Sequence, residues 1–158
     1  MTTTAVMGVD PGVNGGIAVL RGDGTVAYLR ALKPSMTRED LAQVVRAAVC
    51  TLKFEGGLVA YLEKVGYRPS DGGQGAFTFG RIYGGLEQAI IANGGIIQDV
   101  YPQMWQAGME CLTGGNKNVS KQRAIELFPQ EKITHATADA LLIAEWGRRR
   151  FLTPSASL

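Results

Sequence analysis

Short apolar runs broken by turn residues open the chain, and longer helical patterns follow them. Ala5–Val9 is an apolar run too short for a helix, stopped by Asp10-Pro11-Gly12. After Gly15-Gly16, Ile17–Leu20 predicts a second strand. Arg21-Gly22-Asp23-Gly24 predicts a hairpin turn, because Asp-Gly tolerates positive φ, and Thr25–Leu32 continues as a third strand. The opening therefore reads as an antiparallel meander.

Period-3.6 patterning begins at Thr37. With Asp40 three positions on, Thr37 starts a variant of the capping box. Leu41, Val44, Val45, Ala48, Val49 and Leu52 follow at helical spacing, and Gly56-Gly57 closes the helix. Leu58–Leu62 is a further buried strand, with Glu63 at its C-terminal end. Gly66–Gly75 is rich in Gly, Ser, Pro and Asp and reads as a flexible loop. A helix from about Phe77 to Ala92 ends at Asn93-Gly94-Gly95, and Ile96–Tyr101 is a strand. Pro102 suits the first turn of a helix running to about Leu112. Thr113–Asn118 reads as a polar loop, Val119–Phe128 as a helix stopped by Pro129, and about Thr134 to Phe151 as the last helix. Strands alternating with helices after a meander imply an α/β mixed sheet flanked by helices. Residues 1–152 form one domain in this reading, and Thr153–Leu158 a loose tail.

Composition narrows the classes. The 158 residues are 46% hydrophobic with 21 Gly, which suits one α/β domain with a core and many tight turns. A net charge of only +2 does not announce a nucleic-acid binder, so any DNA contact must come from clustered basic residues. Cys50 and Cys111 have no metal-ligand spacing and read as reduced thiols. The N-terminal stretch lacks a charged segment followed by a long apolar one, and no run approaches the ~20 apolar residues of a membrane span. A cytoplasmic protein with no membrane partner is expected.

Candidate chemistry lies in the carboxylates. Asp10 and Glu63 each end an apolar strand, and neighbouring strands would bring them together. Two carboxylates at a core edge repel unless a cation lies between them, and magnesium suits such oxygen ligands. Asp139 lies in the last helix with His135 four residues before it, on the same face. Packed on the sheet edge, that face would complete a two-metal phosphodiesterase centre, its ions roughly 4 Å apart. Blander readings stand beside this one. Asp10 also suits a turn before Pro-Gly, Asp139 the dipole of its helix, and His135 a structural helix start. Glu63 is harder to dismiss, since a charge in an apolar strand is rarely buried without a partner.

The motifs together resemble RuvC-type Holliday-junction resolvases. Gly8-Val9-Asp10-Pro11-Gly12 with Gly15-Gly16 is similar to that family's first motif, Leu62-Glu63-Lys64-Val65 to its second, and Ala138-Asp139-Ala140-Leu141-Leu142-Ile143-Ala144 to its last. Phe77-Thr78-Phe79-Gly80-Arg81 and Tyr101-Pro102-Gln103-Met104-Trp105 resemble the segments between them. The resemblance spans nearly the whole chain. It implies a ribonuclease H-like mixed five-stranded sheet, a homodimer, and paired nicking of four-way DNA junctions in a bacterial or phage-infected cell. By that analogy Asp10, Glu63, His135 and Asp139 hold two Mg2+ or Mn2+ ions. The family places Asp or His three or four residues before the last Asp; those positions are Ala136 and His135 here. If Ala136 replaces an acidic ligand, His135 is a neighbour rather than a ligand.

The resemblance also implies an aromatic wedge at the junction. Phe77 and Phe79, two apart, cannot share a helix face; Phe77 is expected outward and Phe79 inward. Lys64, Arg68, Arg81, Lys117, Lys121 and Arg123 are the candidate phosphate contacts, with ordinary surface charge as the alternative. Arg148, Arg149 and Arg150 suit a helix C-terminus. The helix Phe77–Ala92, apolar through Ile82, Leu86, Ala89 and Ile90, offers a dimer surface or a core face. Competing functions are an RNA–DNA hybrid or branched-DNA nuclease, a junction binder whose metal site has decayed, and, least suited by length, a sugar-kinase-like phosphotransferase. The compact chain suggests a phage-type enzyme.

Overall fold

A computed structural model describes residues 4–52, 56–66 and 68–152; the expected tail 153–158 lies outside them. Three antiparallel strands, β1 (Ala5–Asp10), β2 (Gly16–Leu20) and β3 (Val26–Ala31), form the meander. Helix α1 (Arg38–Cys50) follows, then β4 (Leu58–Glu63), α2 (Gly72–Ala92), β5 (Ile96–Val100), α3 (Pro102–Gly108), α4 (Lys117–Leu127) and α5 (His135–Leu152). β4 pairs parallel with β1, and β5 parallel with β4, so the five-stranded sheet runs β3-β2-β1-β4-β5.

Both faces of the central strands are covered, which is why those strands are continuous apolar runs rather than alternating ones. Met7, Val9, Ala60 and Leu62 point to one face and pack with α1 and α2 through Val45, Ile82, Leu86 and Ile90. Val6, Val59 and Tyr61 point to the other and pack with Trp105 of α3, Ala124 of α4 and Leu142 and Trp146 of α5. Ala18 and Leu20 extend that second layer beneath Leu141 and Ala144. Burial of this size is the main term holding the layers together, at about 25 cal/mol per Å² of apolar surface.

Local signals placed most elements. Thr37 Oγ1 accepts from Asp40 N at 3.1 Å and Asp40 Oδ2 from Thr37 N at 2.8 Å, closing the expected capping box. Four expectations need correction. The Gly-rich stretch is not all loop: a 3-10 turn at Pro69–Asp71 feeds α2 from Gly72, whose φ of +66° makes the junction. Extending a helix already nucleated on the core gains a bond per residue, which offsets the poor propensity of Gly. Helix α3 stops at Gly108, because Glu110 at φ 58° reverses the chain and tucks Cys111 into the core. Lys117 belongs to α4 rather than to a loop, since Asn116 caps that helix by accepting from Asn118 N at 3.0 Å. The α2 face of Ile82, Leu86 and Ile90 is buried against α1 and the sheet, so it is core and not a dimer surface.

Candidate metal centre

Asp10 and Glu63 meet because of strand register. Val9 of β1 pairs with Leu62 of β4, so the next step along both parallel strands sets Asp10 beside Glu63. Side chains alternate between faces. Asp10 therefore shares the face of Val6, and Glu63 that of Val59 and Tyr61, which is the face under α5. Helix α5 lies against β1 so closely that a Cβ on Gly8 would collide with the Ala140 carbonyl oxygen. A Cβ on Gly16 would likewise strike that of Ala136. These glycines let the helix settle at the distance that carries Asp139 to the ends of β1 and β4.

The three carboxylates line one cleft of about 960 Å³. Its walls also include Lys117 and Ser120 of α4, Arg68 after β4, and Gln74, Thr78 and Phe79 of α2. Asp10 Oδ1 accepts from Gly12 N at 3.1 Å. Glu63 Oε2 accepts from Trp105 Nε1 at 2.6 Å. Asp139 Oδ1 is buried without any hydrogen-bond partner. Burial pushes the Asp10 carboxyl up to about 6; the Gly12 N–H opposes this and the charge of Asp139 adds to it. Burial, reinforced by the charge of Asp10, pushes Glu63 up to about 7 against the indole N–H of Trp105. Asp139 is raised by burial, with the Ser120 hydroxyl and the charge of Lys117 pulling it back. The nearby charges of Lys117 and Arg68 do not offset desolvation and mutual repulsion, which both disfavour the ionised carboxylates.

A hard divalent cation would supply the missing positive charge, and oxygen ligands with water in the remaining positions suit Mg2+. Asp10, Glu63 and Asp139 fit it in donor type, and the orphaned Asp139 Oδ1 fits it in having an unused lone pair. They do not form a closed cage: among the described residues, no three His, Cys, Asp or Glu side chains stand close enough to hold one ion as they are. His135 starts α5 with its side chain exposed and outside the cleft walls; only its charge reaches Asp139. Of the four ligands expected from the sequence, Asp10, Glu63 and Asp139 line the cleft and His135 does not.

The remaining candidates divide. Arg68 and Lys117 line the cleft. Lys64 pairs with Asp99 at 3.0 Å and lies over the Tyr101 ring. Arg123 spends its guanidinium inside the protein, donating to Met109 O at 2.8 Å and pairing with Glu110 and Glu126. Arg81 is exposed and Lys121 half-buried, neither on the cleft wall. Phe77 is 74% exposed on α2, whereas Phe79 is half-buried on the cleft wall against Tyr83. Trp105, though inside a segment that resembles the family, and Ser120 gave no sign of a role at the carboxylates: an apolar residue in a helix pattern and a serine in a polar one say nothing of a carboxylate in space.

Comparison with solved structures decides the architecture. T. thermophilus RuvC in complex with a Holliday-junction substrate superposes with a TM-score of 0.67 at 16% identity, covering 94% of this chain and 96% of that one. A second Thermus thermophilus RuvC structure gives 0.65 at 18% identity, again over 94% and 96%. The chain has the ribonuclease H-like fold of RuvC. No family model and no curated protein matches the sequence, so the likeness to RuvC is carried by the backbone arrangement. Among the described residues, no helix is long and apolar enough to cross a membrane.

Proposed function

We propose that this protein is a divalent-metal-dependent endonuclease that cuts four-way DNA junctions. The observation that carries the reading is the convergence of Asp10, Glu63 and Asp139, from β1, β4 and α5, on one cleft. The shared fold with a RuvC that was solved on a Holliday-junction substrate supports the substrate class.

In this reading Asp10, Glu63 and Asp139 hold Mg2+ or Mn2+, with His135, exposed at the start of α5, as the fourth group. Bound there, two such ions supply water activation and stabilise the leaving oxygen of a phosphodiester. The protein's own part is placement. The Gly12 N–H orients Asp10, and Ser120 and Lys117 line the cleft beside Asp139. Lys117 and Arg68 on the cleft wall receive the phosphate backbone, with Lys64, Arg81 and Lys121 as outer contacts; Arg123, its guanidinium held by Met109, Glu110 and Glu126, is not among them. Phe77 projects outward to stack on bases at the crossover. A homodimer places two such clefts about a two-fold axis, matching the two strands cut at a junction.

The purified protein is offered a mobile four-way junction beside an RNA–DNA hybrid duplex, with Mg2+, Mn2+ or EDTA, and sedimentation gives its oligomeric state. Symmetric, cation-dependent nicks in the junction are expected from a dimer. Cleavage of the hybrid alone assigns the other nuclease activity of this fold. Tight junction binding without cutting marks a decayed centre, the reading that Ala136 and the exposed His135 favour.

A further inference from the structure

Trp105 is the largest fully buried side chain of the protein, packed among Val6, Val59, Tyr61 and Met109 beneath α5. A buried indole usually finds a hydrogen-bond partner for its N–H, which a backbone carbonyl could supply. Here the acceptor is instead a side chain 42 positions away, Glu63 Oε2, at 2.6 Å. Glu63 lines the cleft; Trp105 does not, while its neighbours Pro102 and Gln106 do. The indole thus reaches the carboxylate from behind, out of the core. A glutamate has three side-chain torsions, and this bond restrains them by tying one oxygen to a fixed point of the core.

We propose that Trp105 is a positioning residue for Glu63: its N–H occupies Oε2 and leaves Oε1 as the oxygen presented to a divalent cation in the cleft. The inference rests on reading the cleft as a cation site. It adds that the ligand geometry is set from α3, which itself supplies no ligand. Partners standing behind metal ligands typically change affinity by about 10–100-fold when removed.

Mn2+ binding is measured by calorimetry at fixed pH on the wild type, Trp105→Phe, Glu63→Gln and the double variant. Trp105→Phe is expected to weaken Mn2+ binding roughly tenfold or more, and to add little once Glu63 is Gln. A role in packing alone would lower melting temperature and leave Mn2+ affinity unchanged, and that result overturns the proposal. Should Trp105→Phe fail to fold, the indole N–H resonance of the wild type answers instead, assigned with Trp146→Phe. It is expected to shift as Mg2+ saturates and to move in Glu63→Gln; a resonance indifferent to Mg2+ that calorimetry shows to bind overturns the proposal. A wild type that binds no Mn2+ at all overturns the cation-site reading, and the inference with it.

Discussion

Asp10 ends β1 with one carboxylate oxygen held by the Gly12 N–H and with Asp139 near enough to raise its pKa. Asp10→Asn keeps an acceptor for that N–H and removes the charge. Cleavage is expected to fall by more than roughly 100-fold, the upper end of what losing a partner behind a ligand costs. Junction binding in a gel-shift assay should persist, because no phosphate contact is lost. Retained cutting would remove Asp10 from the centre. Phe77 presents the opposite case, a large ring with 74% of its surface exposed. Little core is lost in Phe77→Ala, so melting temperature should hold. Stacking on junction bases should drop by about 1–3 kcal/mol per base, read from a fluorescent base analogue at the crossover. An unchanged signal would count against the wedge. Arg123 and Arg148 show that a basic residue can be consumed internally. Arg148 donates through Nε and Nη2 to buried Glu145, and through Nη1 at 3.0 Å to the Gly22 carbonyl of the β2–β3 turn. Part of the arginine run thus ties the last helix to the meander.

At the level of elements, the site depends on how closely α5 lies on the sheet. Gly8 has no Cβ, and the Ala140 carbonyl oxygen and Ala144 nitrogen occupy the space a Cβ would need. Both obstacles are backbone atoms of a helix, so neither yields by changing rotamer. Gly8→Ala should therefore cost at least the ~1–3 kcal/mol usual for overpacking, seen as a lower denaturant midpoint. It should also weaken Mn2+ binding, because Asp139 rides on the displaced helix. An unchanged midpoint would show that α5 can shift without loss. On the other face, toward α1 and α2, the strands carry no glycine whose Cβ would strike a helix backbone.

For the whole molecule, the raised carboxyls link folding to pH. Asp10 moves from an ordinary 3.8 to about 6, and Glu63 from 4.5 to about 7. Between roughly pH 4 and 7 the folded chain thus keeps protons that the unfolded chain has released, so stability of the cation-free protein falls as pH rises through that window. Each pH unit of displacement corresponds to about 1.4 kcal/mol, so the loss is on the order of a few kcal/mol. The melting temperature in EDTA should accordingly decline from pH 5 to pH 8. Millimolar Mg2+ or Mn2+ should restore it at pH 8 and do little at pH 5, where protons compete for the same oxygens. A flat profile in EDTA would mean that the carboxyls are not desolvated together.

The strands, the meander, the capped helix at Thr37 and the carboxylates at strand ends were legible in the sequence, because each follows from short-range chemistry: apolar runs, turn residues and a side chain reaching its own helix start. Patterning could not tell whether the α2 face was core or interface, since both bury the same residues. It could not tell where α3 ends, because Met109 and Cys111 are buried equally well by a reversed turn. The register that sets Asp10 beside Glu63, the close seating of α5 that brings Asp139 to the cleft wall and leaves His135 off it, and the indole behind Glu63 arise only when segments distant in sequence pack together. Those are long-range contacts, and their partners are chosen by shape and distance in the folded chain rather than by any neighbour along it.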